Sequence, residues 1–255
     1  MIEKISFLTE RPFAHRGLHS GLMKDKGTVP ENSLEAFKLA IEKNYSIEMD
    51  VHLTKDLNII VFHDFFLGRL TTKKGYVFKK DLQYIKQARL VNNETIPTIE
   101  EVLNLIGGKV PILLEIKYSN YIKNNLEVFI RILSEKLNSY NGPIALMSFS
   151  MDLMFFISQK KLFNRFPLGL TTSFPKCESV AKKIKNDKLE NNIIASNLRF
   201  ISQNWIGLKN SRIKKLKKLG IVILSWTITS KEIEKMSKDL VDNITFEQYE
   251  PGISE

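Results

Sequence analysis

Charged side chains stand in this sequence where strands should be apolar. In "SIEMDVHLT" (46–54), Glu48, Asp50 and His52 share one face by the two-residue period, and Ile47, Met49, Val51 and Leu53 share the other. In "VPILLEIK" (110–117), Glu115 and Lys117 share a face at the C-terminal end of an otherwise apolar run. His15 and Arg16 close the short run "FAHRG" (13–17), and His63 and Asp64 follow the extended run "NIIVF". Burying unpaired carboxylates costs several kcal/mol, on the order of what transfer data give for uncompensated polar groups and ions. A Glu–Lys pair on a rim, or one packed histidine, has an ordinary structural explanation. His15, Arg16, Glu48, Asp50, His63, Glu115 and Lys117 together do not. Three carboxylates converging on one mouth repel each other unless a cation sits between them, and oxygen ligands without cysteine suit magnesium or calcium. Two histidines can act as general acid and base near neutral pH. Arg16 and Lys117 can bind and neutralise a phosphate. These parts add up to phosphoryl transfer.

The elements that must position these groups alternate along the chain. The strand candidates are "FAHRG", "SIEMDVHLT", "VPILLEIK", "PIALMSF" (143–149), "FPLGLTT" (166–172), "NNIIASN" (191–197), "IVILSWTI" (221–228) and "VDNITF" (241–246). Helical spacing fills most of the gaps. In "NSLEAFKLAIEKN", Leu34, Phe37, Ile41 and Tyr45 form a stripe, and Asn32 with Glu35 predicts a capping box. In "NSRIKKLKKLG", Ile213, Leu216 and Leu219 form a stripe, lysines cover the other side, and Gly220 ends the helix. Eight strands with intervening helices predict a closed parallel (β/α)8 barrel, with strand ends as the place for chemistry. An open doubly wound sheet is the alternative, but no GxGxxG or GxxxxGK[ST] follows a strand. Residues 65–98 break the alternation, and a connection of that length predicts a small subdomain over one end of the barrel.

A length of 255 residues suits one such barrel, and 43% hydrophobic with 26% charged residues is ordinary globular composition. The single cysteine, Cys177, can make neither an internal disulfide nor a cysteine-rich zinc site, which fits a reducing compartment. The N-terminus lacks the apolar run of a signal peptide and no stretch approaches a membrane span, so a soluble cytoplasmic protein is expected. The net charge of +10 invites an anionic partner, but dispersed lysines in a Lys-, Asn- and Ile-rich composition account for it without nucleic acid.

The motifs "HRG" (15–17), "PEN" (30–32), "ExD" (48–50), "HD" (63–64) and "LEIK" (114–117) occur in the order of the glycerophosphodiester phosphodiesterase family, which the chain resembles over nearly its whole length. Similarity continues through "LTKD" (53–56), "IPTIEEVL" (96–103) and "SWTI" (225–228). The resemblance implies a single barrel domain over 1–255, with residues 65–98 as a small insertion after the second barrel strand. It implies hydrolysis of a small-molecule or lipid-derived phosphodiester to sn-glycerol 3-phosphate and an alcohol. His15 and His63 would be acid and base, and Glu48, Asp50 and Glu115 would hold one Mg2+ or Ca2+. Arg16 and Lys117 would contact the phosphate. Glu31 would lie near the metal or hold the first-strand residues, and Trp226 would wall the glycerol or alcohol part. The nucleophile is water or the substrate's own hydroxyl. The end departs from the family: "NITFEQYEP" puts Phe246 where an acidic residue is common, and Glu247 after it. A lysophospholipase D or phospholipase on the same barrel is the nearest rival, since "FHDFFLGRL" and the lysines would suit transient contact with a membrane surface. A non-catalytic binding protein for anionic ligands is the rival from another class.

Overall fold

Strands form where most of the alternating and apolar runs predict them. In the computed structural model, which describes residues 5–20, 28–175 and 190–253, Cys177 lies outside the described residues. The chain divides into two compact units, Phe13–Pro143 and Met1–Pro12 with Ile144–Glu255.

In the Phe13–Pro143 unit, β1 (Phe13–Ala14) pairs in parallel with β2 (Ser46–Leu53). All eight residues of β2 are buried, as in a strand covered on both faces. After β2 the chain turns through Leu57, whose φ is 65°, and returns as β3 (Ile59–Val61), antiparallel to β2. This short ninth strand is additional to the eight expected. β4 (Ile112–Ile116) pairs in parallel with β2, and the register sets Asp50 opposite Glu115.

The helix Leu34–Glu42 buries Ala36, Phe37 and Ala40. Its cap is Ser33, whose hydroxyl accepts the Ala36 N–H at 3.1 Å, and not the predicted Asn32–Glu35 box. Asn32 takes a left-handed φ of 53° and turns its amide elsewhere. The helix Ile99–Ile106 has a true capping box, Thr98 with Glu101. Within 65–98 lie two 3-10 turns, Leu67–Arg69 and Val77–Lys79, and a short helix, Leu82–Lys86. Leu67, Val77, Ile85, Ala88, Leu90 and Ile96 are buried in one cluster with Ile60 and Phe62.

In the other unit, β5 (Ile144–Ser148), β6 (Leu168–Thr172), β7 (Phe200–Asn204), β8 (Val222–Ile228) and β9 (Asn243–Phe246) pair in parallel in chain order. The helices Met151–Ser158, Ser211–Lys218 and Lys231–Ser237 lie between them. One predicted strand is wrong. Residues 190–195 of the "NNIIASN" region are helical, with Ile193 and Ser196 buried and Ile194 exposed, a three-residue spacing. The sixth parallel strand is β7, where Gln203 is buried and accepts from the Thr172 hydroxyl at 2.7 Å and the Phe174 N–H at 3.1 Å. The helix Ser211–Lys218 buries Ile213 and Leu216 as expected, but Leu219 is exposed. Parallel strands alternating with helices through both units are the (β/α)8 barrel class that the sequence predicts. Among the described residues no helix is long and apolar enough to cross a membrane.

Candidate active site

All the motif residues before Lys117 fall in the Phe13–Pro143 unit: "HRG" follows β1, "PEN" precedes the helix Leu34–Glu42, "ExD" lies within β2, "HD" follows the antiparallel β3, and Glu115 is near the end of β4. β1 ends at Ala14, and from His15 on the backbone bends sharply: Arg16 has a φ of 55° and Gly17 of 80°. A Cβ on Gly17 would lie 2.9 Å from the Ala36 backbone, so the third residue of "HRG" has no room for a side chain. A left-handed arginine costs on the order of 1–3 kcal/mol, and such positions gather at functional sites. The bend aims the Arg16 N–H at Glu48 Oε2, 2.9 Å away, and brings His15 Nε2 to 4.0 Å from the same oxygen.

Period two places Glu48 and Asp50 on one face of β2, and the β2–β4 register adds Glu115. Carboxylate oxygens of the three lie within 4.8 Å of one another, and the side chains are almost fully buried. Lys117 Nζ contacts Asp50 Oδ1 at 2.7 Å and also bonds Glu115 Oε1. Arg16 Nε lies 3.5 Å from Asp50 Oδ2. If all three acids are ionised, these two cations leave one negative charge over. Burial, with repulsion from Asp50 and Glu115, pushes the Glu48 carboxyl well above the usual range. Burial acts the same way on Asp50, but the Lys117, His63 and Arg16 charges outweigh it and hold Asp50 well below. Glu115 is raised, by burial first. The donor set fits a hard divalent cation: only oxygen ligands, close together, with a charge deficit that a cation would fill.

The antiparallel return of β3 brings His63 back beside β2; the Phe62 N–H donates to the Asp50 carbonyl at 2.9 Å. His63 Nδ1 is 2.8 Å from Asp64 Oδ1. Asp64 accepts two bonds from Arg69, at 2.6 and 2.9 Å, and Arg69 donates two more to Glu31, at 3.0 and 2.7 Å. Glu31 in turn accepts from Arg16 at 2.7 Å. An unbroken chain of polar contacts therefore runs His63–Asp64–Arg69–Glu31–Arg16. Through Arg16, Glu31 is tied to the turn that follows β1. Burial opposes ionisation of Glu31, but the two guanidinium groups keep its carboxyl below the usual range.

Two participants escaped the sequence reading. Arg69 looks like one more loop cation until its four bonds are seen. Asn32 looks like a helix cap, but its amide donates to Asp50 Oδ2 at 2.9 Å and accepts the Asp50 N–H at 3.2 Å. His52 shares the carboxylate face as expected and is buried; its Nε2 lies 3.0 Å from the His63 carbonyl. Burial lowers its imidazole to about 4, so at neutral pH it is an uncharged packing group. His19 lies in the turn after β1. Trp226 is on β8 of the other unit, where its indole N–H donates to the Ser202 carbonyl at 2.9 Å and its ring meets Phe149 edge-on. Phe246, at the atypical end of β9, is buried.

Residues 15–248 match the model of the glycerophosphoryl diester phosphodiesterase family. A glycerophosphodiester phosphodiesterase of Caldanaerobacter subterraneus subsp. tengcongensis is 28% identical over 253 residues, covering 94% of this chain and 95% of that protein. The structure resembles an Oleispira antarctica phosphodiesterase solved in complex with the product sn-glycerol-3-phosphate. The TM-score is 0.77 at 22% identity, over 95% of this chain and 94% of that one. It also resembles the Thermotoga maritima glycerophosphodiester phosphodiesterase, with a TM-score of 0.67 at 23% identity over 92% of each chain. At these identities the structural likeness speaks for the fold, and the family match over nearly the whole sequence speaks for descent. The chain belongs to the glycerophosphoryl diester phosphodiesterase family, and its enzyme class is phosphodiesterase.

Proposed function

We propose that this enzyme hydrolyses glycerophosphodiesters to sn-glycerol 3-phosphate and an alcohol, with His15 and His63 as the acid–base pair. The observation that carries the reading is the buried cluster Glu48, Asp50 and Glu115, flanked by Lys117, Arg16 and two histidines in one unit. Those three carboxylates would hold one Mg2+ or Ca2+, which when bound supplies charge neutralisation at the phosphate. Arg16 and Lys117 bind and orient the phosphate's nonbridging oxygens. One histidine takes a proton from the attacking water or substrate hydroxyl, and the other gives one to the departing alcohol oxygen. Asp64 orients His63 through Nδ1 and leaves Nε2 to carry the transferred proton. Trp226 is assigned to the glycerol or alcohol part on the family pattern alone. The same reading takes 1–255 as one barrel domain with 65–98 as its insertion subdomain.

The test is a panel of glycerophosphocholine, glycerophosphoethanolamine and lysophosphatidylcholine, assayed with Mg2+ or Ca2+ and with a chelator. Release of sn-glycerol 3-phosphate from the first two, abolished by the chelator and restored by metal, is the expected result. Choline release from the lysophospholipid alone, or turnover indifferent to the chelator, sinks it.

Arg69 acts through Asp64 and Glu31 and is a positioning residue. Arg69→Gln is expected to lower kcat about 10–100-fold, the usual effect of losing a supporting contact around a metal site. KM stays within about threefold and Arg69→Lys recovers part of the loss, since a point charge replaces a fork. Steady-state kinetics of the two variants, with metal affinity measured separately, decide it. A purely structural role would lower the amount of folded protein without moving kcat per folded molecule.

A further inference from the structure

The segment that carries Arg69 also carries an exposed aromatic and cationic surface. Residues 65–98 hold seven Lys and Arg against two acids, Asp81 and Glu94, so half of the chain's net charge of +10 sits in this stretch. A short ladder shapes it. Leu67 N–H donates to the Gly75 carbonyl and Val77 N–H to the Phe65 carbonyl, both at 3.0 Å, with Phe66 bridged to Tyr76. Leu67 and Val77 point into the buried cluster, and Phe66 and Tyr76, paired next to them, turn to the outer face of the ladder. Phe65, Phe66 and Tyr76 are 42%, 43% and 48% exposed. The rings form a continuous strip: Phe66 edge-on to Tyr76 at 5.5 Å, Tyr76 against Phe78 at 5.5 Å, and Phe78 stacked on Tyr121 at 6.0 Å. Contiguous exposed aromatics of this kind mark interaction surfaces.

Lysines border the strip. Lys79 lies over Tyr76, and Lys73 and Lys80 lie over Tyr84. The Lys74 stem runs beside Phe66 at Gly68. Among the described residues none of these four ammonium groups pairs with a carboxylate. The nearby acids are committed to backbone donors. Asp81 accepts the Tyr84 N–H at 2.8 Å, and Asp56 accepts the Leu82 N–H at 3.0 Å. Amphipathic rings beside unpaired lysines are the composition of a peripheral membrane surface, with the rings at headgroup depth and the cations on anionic phosphates.

We infer that the aromatic and lysine face formed by Phe65, Phe66, Tyr76, Lys73, Lys74 and Lys79 docks this enzyme on an anionic lipid bilayer. Charge complementarity selects that occupant: an uncharged protein groove would accept the rings but leave four cations unmatched. Phe65 directly follows Asp64 and its ring meets His52 edge-on at 4.9 Å, so docking sets the His63 side of the site against the lipid headgroups. The inference goes beyond the proposed reaction, and its test needs no turnover.

The test is co-sedimentation of the full chain with vesicles of phosphatidylcholine alone and of phosphatidylcholine mixed with phosphatidylserine. Binding to the mixed vesicles, weak binding to the neutral ones and release by added salt are expected. Lys73→Gln with Lys79→Gln lowers binding to the mixed vesicles about 25-fold, at about fivefold per lysine. Phe66→Ser with Tyr76→Ser lowers it about tenfold or more. Thermal unfolding midpoints of both variants stay close to that of the parent, which shows that they fold. Equal sedimentation with both kinds of vesicle, or full binding by both variants, overturns the inference. So does self-association, without vesicle binding, that Phe66→Ser with Tyr76→Ser abolishes; that outcome gives the face to a second copy of the chain.

Discussion

His15→Ala and His63→Ala are each expected to lower the turnover of a glycerophosphodiester about 10²–10⁴-fold, the range for a lost proton carrier, with the affinity of the proposed carboxylate site for a divalent cation kept. Neither ring belongs to the carboxylate cluster, which is why metal affinity survives. The two rings are held differently, and a change of substrate separates their roles. His63 is oriented by Asp64, itself fixed by two bonds from Arg69. His15 stands 4.0 Å from Glu48, at the point where β1 bends away. A diester whose departing group is a nitrophenolate leaves without protonation. The loss caused by removing the general acid shrinks on that substrate, and the loss caused by removing the base does not. Comparing both alanine variants on glycerophosphocholine and on a nitrophenyl diester therefore assigns acid and base by experiment. Near-full activity of His63→Ala on every diester would falsify the pairing.

Glu48→Gln weakens the metal response and yet stabilises the metal-free protein. Glutamine is close in shape, and its amide oxygen still accepts the Arg16 N–H, but it cannot be an anionic ligand. Metal affinity and activity are expected to fall at least about tenfold, with partial recovery at high metal concentration. The stability gain follows from the sign of the titration. The Glu48 carboxyl is raised above its ordinary value of 4.5 by burial and by its two acidic neighbours. A raised acid contributes stability below its unfolded value, and that contribution is lost as pH rises through the folded value. Metal-free parent protein therefore loses stability as pH climbs above the ordinary carboxylate range, and the Gln variant does not. With Mg2+ or Ca2+ present the order reverses, because the parent gains binding energy that the variant lacks. Thermal unfolding across pH, with and without metal, reads both effects. If parent and variant respond alike to metal, Glu48 is no ligand.

Much of this geometry is visible in the sequence because strand periodicity is blunt. Two carboxylates two residues apart in an apolar run must share a face, and no tertiary information is needed to say so. Pairing across strands is different: nothing local sets Asp50 opposite Glu115, and the order of motifs along the chain had to stand in for register. Asn32 misled for a physical reason. Asn and Ser both cap helices well, and the adjacent Ser33 takes the cap, which frees Asn32 for Asp50. β7 hid because its buried polar residues, Ser202 and Gln203, interrupt the apolar pattern, and Gln203 is satisfied by partners some thirty residues away. Arg69 hid because loop cations are common and only coordinates reveal four bonds on one guanidinium.

That guanidinium has a consequence for anyone who would redesign the enzyme's selectivity by exchanging its 65–98 segment. Such grafts usually treat a surface excursion as cargo, separable from the chassis beneath. Here the excursion supplies the cation that keeps two acids of the chassis, Glu31 and Asp64, in register with each other. A donor loop without an arginine at that point would leave Asp64 without its cation and Glu31 with Arg16 alone, and would let the ring of His63 swing. The transplant would alter rate before it altered preference.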